Sequence, residues 1–173
     1  MQRQKGFSLV ELIIALALLS TIAAIVYNVV NPNLWQVTGL SARIRSDFMQ
    51  MEMGVTNYYS AAGSYPASLS DNTFVPQYLT PPSVASTFDA TYGTGGYLLA
   101  QQTGQASPNN GYYLACRVTV TGTQDPNYKA IKQVAANLSV QKFFYNTSVP
   151  AVSNMGDPAG NATVYLTYWL TRN

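Results

Sequence analysis

The stretch MQRQKGFSLVELIIALALLS (residues 1–20) decides how this chain is organised. Its first six residues contain Arg3 and Lys5, and no other basic residue occurs before Arg43. By the positive-inside rule, this asymmetry keeps the N-terminus cytoplasmic and directs the following residues outward. The apolar run from 7 to 30 has 24 residues. At about 1.5 Å per residue it spans the roughly 30 Å apolar core of a bilayer.

Glu11 is the charged residue within this apolar run. An acid in a membrane helix costs on the order of 2.5–3.5 kcal/mol at the helix centre and less near the helix end. A position in the first turn lowers that cost further, because the positive end of the helix dipole favours a carboxylate. Two interpretations stay open: an acid at headgroup level beside Lys5, or a charge that pairs with a partner.

The segment KGFSLVE (residues 5–11) resembles the processing site of type IV prepilins and type II secretion pseudopilins. In that family a prepilin peptidase cuts after the glycine, here Gly6, and methylates the new N-terminal phenylalanine, here Phe7. The glutamate five residues into the mature chain, here Glu11, guides assembly. Cleavage after Gly6 would give Phe7 a free α-amino group, and the second interpretation of Glu11 is that it pairs with this group on another subunit. A secretory signal peptide would instead place its cleavage site after the apolar region.

We expect four segments in the chain. Residues 1–6 form a leader that is removed, and residues 7–30 form a transmembrane and filament-core helix. Residues 31–62 form an amphipathic helix that continues into the head, and residues 63–173 form the globular head. Pro32 predicts a kink or a locally melted turn near the start of the second helix, because proline removes a backbone hydrogen bond.

The second helix is predicted from apolar residues that recur at steps of three or four. These residues are Leu34, Val37, Leu40, Ile44, Phe48, Met51, Val55 and Tyr58. Arg43, Arg45, Asp47 and Glu52 fall largely off this stripe, and Gly63 is the expected helix stop. Met49, Met51 and Met53 are interpreted as core and interface filler.

The head is predicted to contain strands, joined by a turn at Asn109-Asn110-Gly111, and one short helix. The predicted strands are residues 97–101, 111–121, 143–145 and 162–171. Asp125-Pro126 resembles a helix N-cap followed by proline, which starts a helix that reaches residue 138. The expected fold class is therefore α+β, type IV pilin-like, with a long N-terminal helix packed on a small antiparallel sheet.

The charges are few and balanced. Charged residues make up 9% of the chain, with nine basic and seven acidic side chains. Removal of Arg3 and Lys5 leaves seven basic residues against seven acidic ones, so the mature chain lacks the net repulsion that opposes self-association. Cys116 is the only cysteine, which excludes an intrachain disulfide, and we expect it to be buried in a strand. Many pilins staple their C-terminal region with such a bond, and this chain departs from that pattern.

Nothing in the sequence predicts an enzyme, a cofactor or a metal site. The chain has no histidine, which excludes histidine-based catalysis and histidine metal ligands. Secretion pseudopilins often bind calcium through clustered aspartates, whereas Asp89, Asp125 and Asp157 are far apart in this sequence. A calcium site needs six to eight oxygen ligands, so these acids would have to converge by folding.

Several weaker signals concern the surface of the head. Three glycosylation sequons, at Asn137, Asn146 and Asn161, are expected by chance in a chain so rich in Asn, Ser and Thr. One region of the head sequence concentrates basic residues, namely Arg117, Lys129, Lys132 and Lys142. Together with the thirteen tyrosines they leave a DNA or surface ligand open, although a solvated face and tyrosine packing are the favoured interpretations.

The predicted function is that of a structural subunit of a type IV pilus-like filament. The partners implied are other copies of the chain, the prepilin peptidase, the assembly machinery of the bacterial inner membrane, and the membrane itself. The subunit would lie in the inner membrane before assembly and in a pilus or periplasmic pseudopilus afterwards. The alternatives are a minor pilin or pseudopilin that primes or tips a filament, and a membrane-anchored DNA- or surface-binding protein.

We predict that Gly6→Val blocks processing, because the peptidase must reach the backbone beside Gly6, where a side chain would intrude. The unprocessed precursor should accumulate in the membrane. Mass spectrometry of the membrane fraction measures the N-terminus, and Phe7 found there in the mutant would contradict the prediction.

Overall fold

The computed structural model describes residues 8–29, 32–71, 73–75, 77–80, 96–136 and 142–172. The described residues fall into two compact units that divide between Gln36 and Val37. The helices and strands follow in the order α1 (Leu9–Val29), α2 (Pro32–Ala62), β1 (Tyr97–Gln102), β2 (Gly111–Val120), α3 (Pro126–Ala136), β3 (Phe143–Asn146) and β4 (Ala162–Trp169).

The first unit consists mainly of α1, a helix of 21 residues that is apolar on every side. By length and composition, Leu9–Tyr27 can cross a membrane, and none of this span is buried within the chain. A helix with an apolar surface all round belongs in lipid or in a protein core. The kink predicted near Pro32 involves residues 30 and 31, which lie outside the described residues.

The second unit is built on a four-stranded antiparallel sheet with the strand order β1-β2-β4-β3. Leu114 in the middle of β2 pairs with Leu99 of β1 on one side and with Tyr168 of β4 on the other. The predicted α+β, pilin-like fold class is confirmed, and each predicted strand lies within two residues of an observed one.

Phe48 is the centre of the contact between α2 and the sheet. Its ring lies 5.2 Å from the ring of Tyr97 and 5.2 Å from that of Phe143, both edge-on, and 6.0 Å from that of Tyr168. Edge-to-face pairs of this kind stabilise a core beyond the area they bury. The predicted stripe faces this core from Val37 onward. Leu34 is the exception: it belongs to the first unit and is 62% exposed.

Two glycines shape the end of α2 and the chain that follows it. Gly63 has a φ of 72°, and its amide donates to the Tyr59 carbonyl at 2.8 Å, which ends the helix in the left-handed conformation that glycine favours. The helix end predicted at Gly63 is therefore explained by the positive φ of this glycine. Inside α2, a Cβ at Gly54 would lie 2.7 Å from the Tyr78 carbonyl oxygen, so glycine allows the following segment to pack against the helix.

The face of the sheet that points away from α2 carries a second, smaller cluster around Tyr113, Ala115 and Trp169. Residues near Ala151 cover it. The Trp169 indole donates to the Ala151 carbonyl at 3.0 Å, and the Ala151 amide donates to the Thr167 hydroxyl at 2.8 Å. Both faces of β4 are consequently buried over its second half, which a simple alternating pattern does not predict.

Arg172 ties this covering segment to the β1–β2 loop. Its guanidinium carbon lies 4.5 Å from the centre of the Phe144 ring. The same group donates to the backbone carbonyls of Pro108 and Val152, each at 3.1 Å. The arginine guanidinium is planar and has five N–H donors, so it can stack on a ring and form several hydrogen bonds at once. Arg172 thus links β3, the β1–β2 loop and the covering segment without a covalent bond.

The predicted N-cap of α3 is observed at Asp125. One carboxylate oxygen accepts from the Asn127 amide at 2.8 Å, and the other accepts from the Thr121 amide at 2.8 Å. The side chain therefore fixes both the helix start and the end of β2, since an N-cap carboxylate satisfies amides that have no helical partner.

We predict that a thiol-specific dye labels Cys116 only after denaturation. The side chain is fully buried, and burial raises the pKa of its thiol, so it stays protonated and unreactive. A matched control, Cys116→Ala combined with Ser60→Cys, should be labelled at once because residue 60 is exposed. Rapid labelling of the folded wild-type chain, or a disulfide-linked dimer on a non-reducing gel, would contradict the prediction.

Candidate assembly segment and head contacts

The start of α1 is a reciprocal capping box made by Ser8 and Glu11. The Ser8 backbone amide donates to Glu11 Oε2 at 2.9 Å, and the Glu11 amide donates to Ser8 Oγ at 3.3 Å. The two side chains thereby satisfy two amides that lack helical partners. The sequence signal, a serine followed three residues later by a glutamate, was present but was missed in the sequence interpretation, which considered only the helix dipole.

The other polar side chains of α1 that make hydrogen bonds do so within the helix. Thr21 Oγ1 donates to the carbonyls of Ala17 at 2.6 Å and Leu18 at 3.0 Å, and Ser20 Oγ donates to the Ala17 carbonyl at 2.9 Å. Hydroxyls that bond to their own helix are tolerated in an apolar environment, where an unsatisfied donor would be costly.

Gly6 and Phe7, the predicted processing residues, lie outside the described residues, so the structure places only Glu11 of the predicted assembly site. Glu11 is exposed and sits in the first turn of α1. Among the described residues, the hydrogen bond to its carboxylate is the one that Oε2 accepts from the Ser8 amide.

Asp47 is a buried carboxylate in the second unit, and the sequence placed it off the core stripe. It is only 8% exposed, and its Oδ2 atom accepts from the hydroxyl of fully buried Tyr97 at 2.9 Å. Burial raises the pKa of Asp47, while the Tyr97 hydrogen bond and the charge of Arg43 act in the opposite direction. A buried polar group needs such a partner, and this one fixes α2 to β1.

Glu52 makes a second polar link from α2 to the sheet. Its Oε2 atom accepts from the Tyr168 hydroxyl at 2.6 Å, and its Oε1 atom pairs with Lys142 Nζ at 3.1 Å. Burial, followed by the bond to Glu52, raises the pKa of Tyr168, so the phenol remains a donor. Asp47 and Glu52 therefore each bind a sheet tyrosine.

The aspartates considered for calcium do not come together. Asp125 caps α3, whereas Asp157 accepts from Lys132 at 2.8 Å and from Tyr128 at 3.0 Å. The bond from Lys132, and then that from Tyr128, lowers the pKa of Asp157. Asp89 lies outside the described residues. Across the ranges that the structure describes, no group of three acidic, cysteine or histidine side chains could hold a metal ion.

The basic residues of the head have partners within the fold. Lys142 pairs with Glu52, Lys132 pairs with Asp157, and Lys129 donates to the Gln124 side chain at 2.6 Å. Arg117 also has an interaction. These residues are therefore not a row of unoccupied cations of the kind that holds a phosphate backbone.

Of the glycosylation sequons, the asparagine side chains at two described sites are exposed or partly exposed, and Asn137 lies outside the described residues. Asn146 Nδ2 donates to the Ser153 carbonyl at 3.2 Å, so that side chain already has a role in holding the turn after β3.

Comparison with known proteins bears on the N-terminal segment. The model of the prokaryotic N-terminal methylation motif matches residues 1–27. This motif is the signature of type IV pilins and pseudopilins, so the resemblance drawn from residues 5–11 is confirmed. No curated protein and no solved structure matches the chain.

We predict that Tyr97→Phe lowers the free energy of unfolding by about 1–3 kcal/mol, the typical cost of leaving a buried polar group without its partner. The loss should grow as pH rises from about 4 to 7. The reason is that the mutation removes a bond that lowers the pKa of Asp47. A higher native pKa makes stability fall further as the carboxyl ionises.

Chemical denaturation of the full chain in detergent, followed at several pH values, measures this effect. Tyr113→Phe is the matched control, because Tyr113 is also buried but lies in the outer cluster, away from Asp47. An equal loss of unfolding free energy at acidic and neutral pH would show that the Asp47–Tyr97 bond does not affect the pKa of Asp47 as predicted.

Proposed function

We propose that this chain is a structural subunit of a type IV pilus-like filament. It is cut after Gly6 and methylated on Phe7, and residues 7–30 hold it in the bacterial inner membrane until it polymerises. The observation that carries the proposal is the combination of the methylation motif with a helix whose apolar surface is bare.

The exposure of α1 supports this reading. Each of its large apolar side chains that the structure describes is between 51% and 77% exposed. An apolar surface of this extent is not stable in water and must be covered by lipid or by protein. Insertion into a membrane and burial among the same helices of other subunits are two ways of covering one surface.

Glu11 supplies the polar contact that apolar packing lacks. Once the leader is removed, no basic side chain precedes Arg43, so the free amine of Phe7 is the cation at this end of the helix. One carboxylate oxygen of Glu11 caps its own helix, and the other is available to the amine of a neighbouring subunit. An ion pair that is buried among apolar helices is strongly destabilised when one partner is removed.

Two alternative functions are compatible with the same methylation motif. A minor pilin or secretion pseudopilin would prime or tip a filament made mainly of another protein. A membrane-anchored DNA- or surface-binding protein would use α1 only as an anchor, and the pairing of the head lysines with acidic and amide groups speaks against the DNA form of this alternative. Imaging of filaments in a deletion strain, with identification of their main protein, separates the three.

We predict that Glu11→Gln is cleaved normally, accumulates in the inner membrane and assembles poorly. Glutamine keeps an oxygen that can accept from the Ser8 amide, so the cap survives while the charge is lost. Ser8→Ala is the matched control: it removes the hydroxyl side of the capping box, worth about 1 kcal/mol, and keeps the carboxylate. We expect Ser8→Ala to assemble nearly as well as the wild type.

Immunoblots of membrane fractions measure cleavage, and electron microscopy measures filament number and length. Glu11→Gln filaments at wild-type number and length would refute the pairing role. Equal assembly defects in Glu11→Gln and Ser8→Ala would show that Glu11 acts through the helix cap instead.

A further inference from the structure

Three tyrosine rings stack on one another at the end of α2. The Tyr65 ring lies 4.7 Å from that of Tyr59, tilted by 33°, and 4.0 Å from that of Tyr112, tilted by 25°. We refer to Tyr59, Tyr65 and Tyr112 as the tyrosine stack. Aromatic pairs more often adopt offset or edge-on arrangements with centroids 4.5–7 Å apart, so the Tyr65–Tyr112 contact is unusually close.

The backbone holds the stack from three separate places. Tyr59 lies in the last turn of α2, and its carbonyl accepts from the Gly63 amide. Tyr65 precedes the buried Pro66. Tyr112 lies in β2, and its carbonyl accepts from the Leu170 amide at 2.9 Å. The three rings therefore come together from a helix, a loop and a strand.

The hydroxyl groups of the stack have no hydrogen-bond partner among the described residues. Other tyrosines of the head use theirs: Tyr97 donates to Asp47, and Tyr168 donates to Glu52. Ring packing alone would be served equally well by phenylalanine. The hydroxyl groups of the stack thus form no hydrogen bond in the fold that the structure describes. This lack of a structural role is consistent with a reaction of the phenol groups themselves.

We propose that Tyr65 and Tyr112 are the site of an oxidative cross-link, a carbon–carbon bond between the two rings. A haem peroxidase with hydrogen peroxide is the class of oxidant required. Each phenol loses one electron and its hydroxyl proton, and the two phenoxyl radicals couple through ring carbons beside the hydroxyls. Both rings regain aromaticity by moving the displaced ring hydrogens to the oxygens. In sum, two tyrosines and one peroxide give one dityrosine and two waters.

Tyr59 gives the oxidant access to the stack. It is 45% exposed, whereas Tyr65 and Tyr112 are only partly exposed. Each of the two one-electron oxidations begins at Tyr59, which regains its electron and proton as Tyr65 or Tyr112 is oxidised in its place. The bond would join residues on either side of the segment 66–111, in a chain whose single cysteine cannot form an intrachain disulfide. A covalent link of this length restricts the unfolded chain as a disulfide does.

The test treats the full-length protein in detergent micelles with a haem peroxidase and limiting hydrogen peroxide. We expect a monomer that has lost two hydrogen atoms, dityrosine fluorescence, and a proteolytic peptide that links residues 65 and 112. The cross-linked monomer should also unfold at a higher denaturant concentration than the untreated one.

Single substitutions distinguish this site from general tyrosine oxidation. Tyr65→Phe and Tyr112→Phe keep the ring packing and should abolish the linked peptide, and Tyr59→Phe should lower its yield several-fold. Tyr78→Phe is the matched control, because Tyr78 meets Tyr58 edge-on, with centroids 5.4 Å apart and an angle of 83°. It should leave the yield unchanged.

Three outcomes would overturn the proposal. The first is a folded monomer whose exposed tyrosines are oxidised without loss of two hydrogens from the stack. The second is cross-linking only between molecules. The third is a linked peptide that persists in Tyr112→Phe at the wild-type yield.

Discussion

The apolar surface of α1 must be covered, and the described part of the chain does not cover it. All of Leu9–Tyr27 is apolar enough for lipid and none of it is buried by the rest of the chain. The head must therefore hold its own fold without help from this helix. It does so by packing the second part of α2 on the sheet, with Phe48 among three aromatic rings.

Polar contacts give that packing a fixed register. Asp47 and Glu52 lie five residues apart on α2, and each accepts from a tyrosine of a different strand. Apolar side chains tolerate small shifts of a helix along a sheet, whereas two separate carboxylate–phenol bonds do not. On the other face, Arg172 connects the C-terminal end to two loops by stacking and hydrogen bonds. Together these contacts organise a head that has no disulfide.

The regular parts of this fold were predictable because their signals are local. The spacing of Ile44, Phe48 and Val55 shows the buried face of α2, and Asp125 marks the start of α3 through hydrogen bonds to residues next to it in sequence. The burial of Asp47 was not predictable, because it depends on Tyr97, fifty positions away. The cover over Trp169 depends in the same way on where an irregular segment crosses the sheet.

The same difference between local and long-range signals separates the N-terminal motif from the tyrosine stack. The methylation motif could be recognised directly, because it is a short run of consecutive residues, and the capping box of Ser8 and Glu11 was equally local although it was missed. The tyrosine stack could not, because its three rings come from a helix, a loop and a strand. Pairs such as Tyr58-Tyr59 and Tyr112-Tyr113 stand out in the sequence. The sequence does not show which tyrosine of each pair joins the stack.

The self-bonded hydroxyls of Ser20 and Thr21 have a consequence for how α1 can meet its neighbours. Because both side chains donate to carbonyls of their own helix, neither demands a particular position on another chain. Beyond the first turn, the described surface that α1 offers to a neighbouring helix is therefore mainly apolar. The polar group that can fix the position of this helix against a neighbour then lies in its first turn, at Glu11.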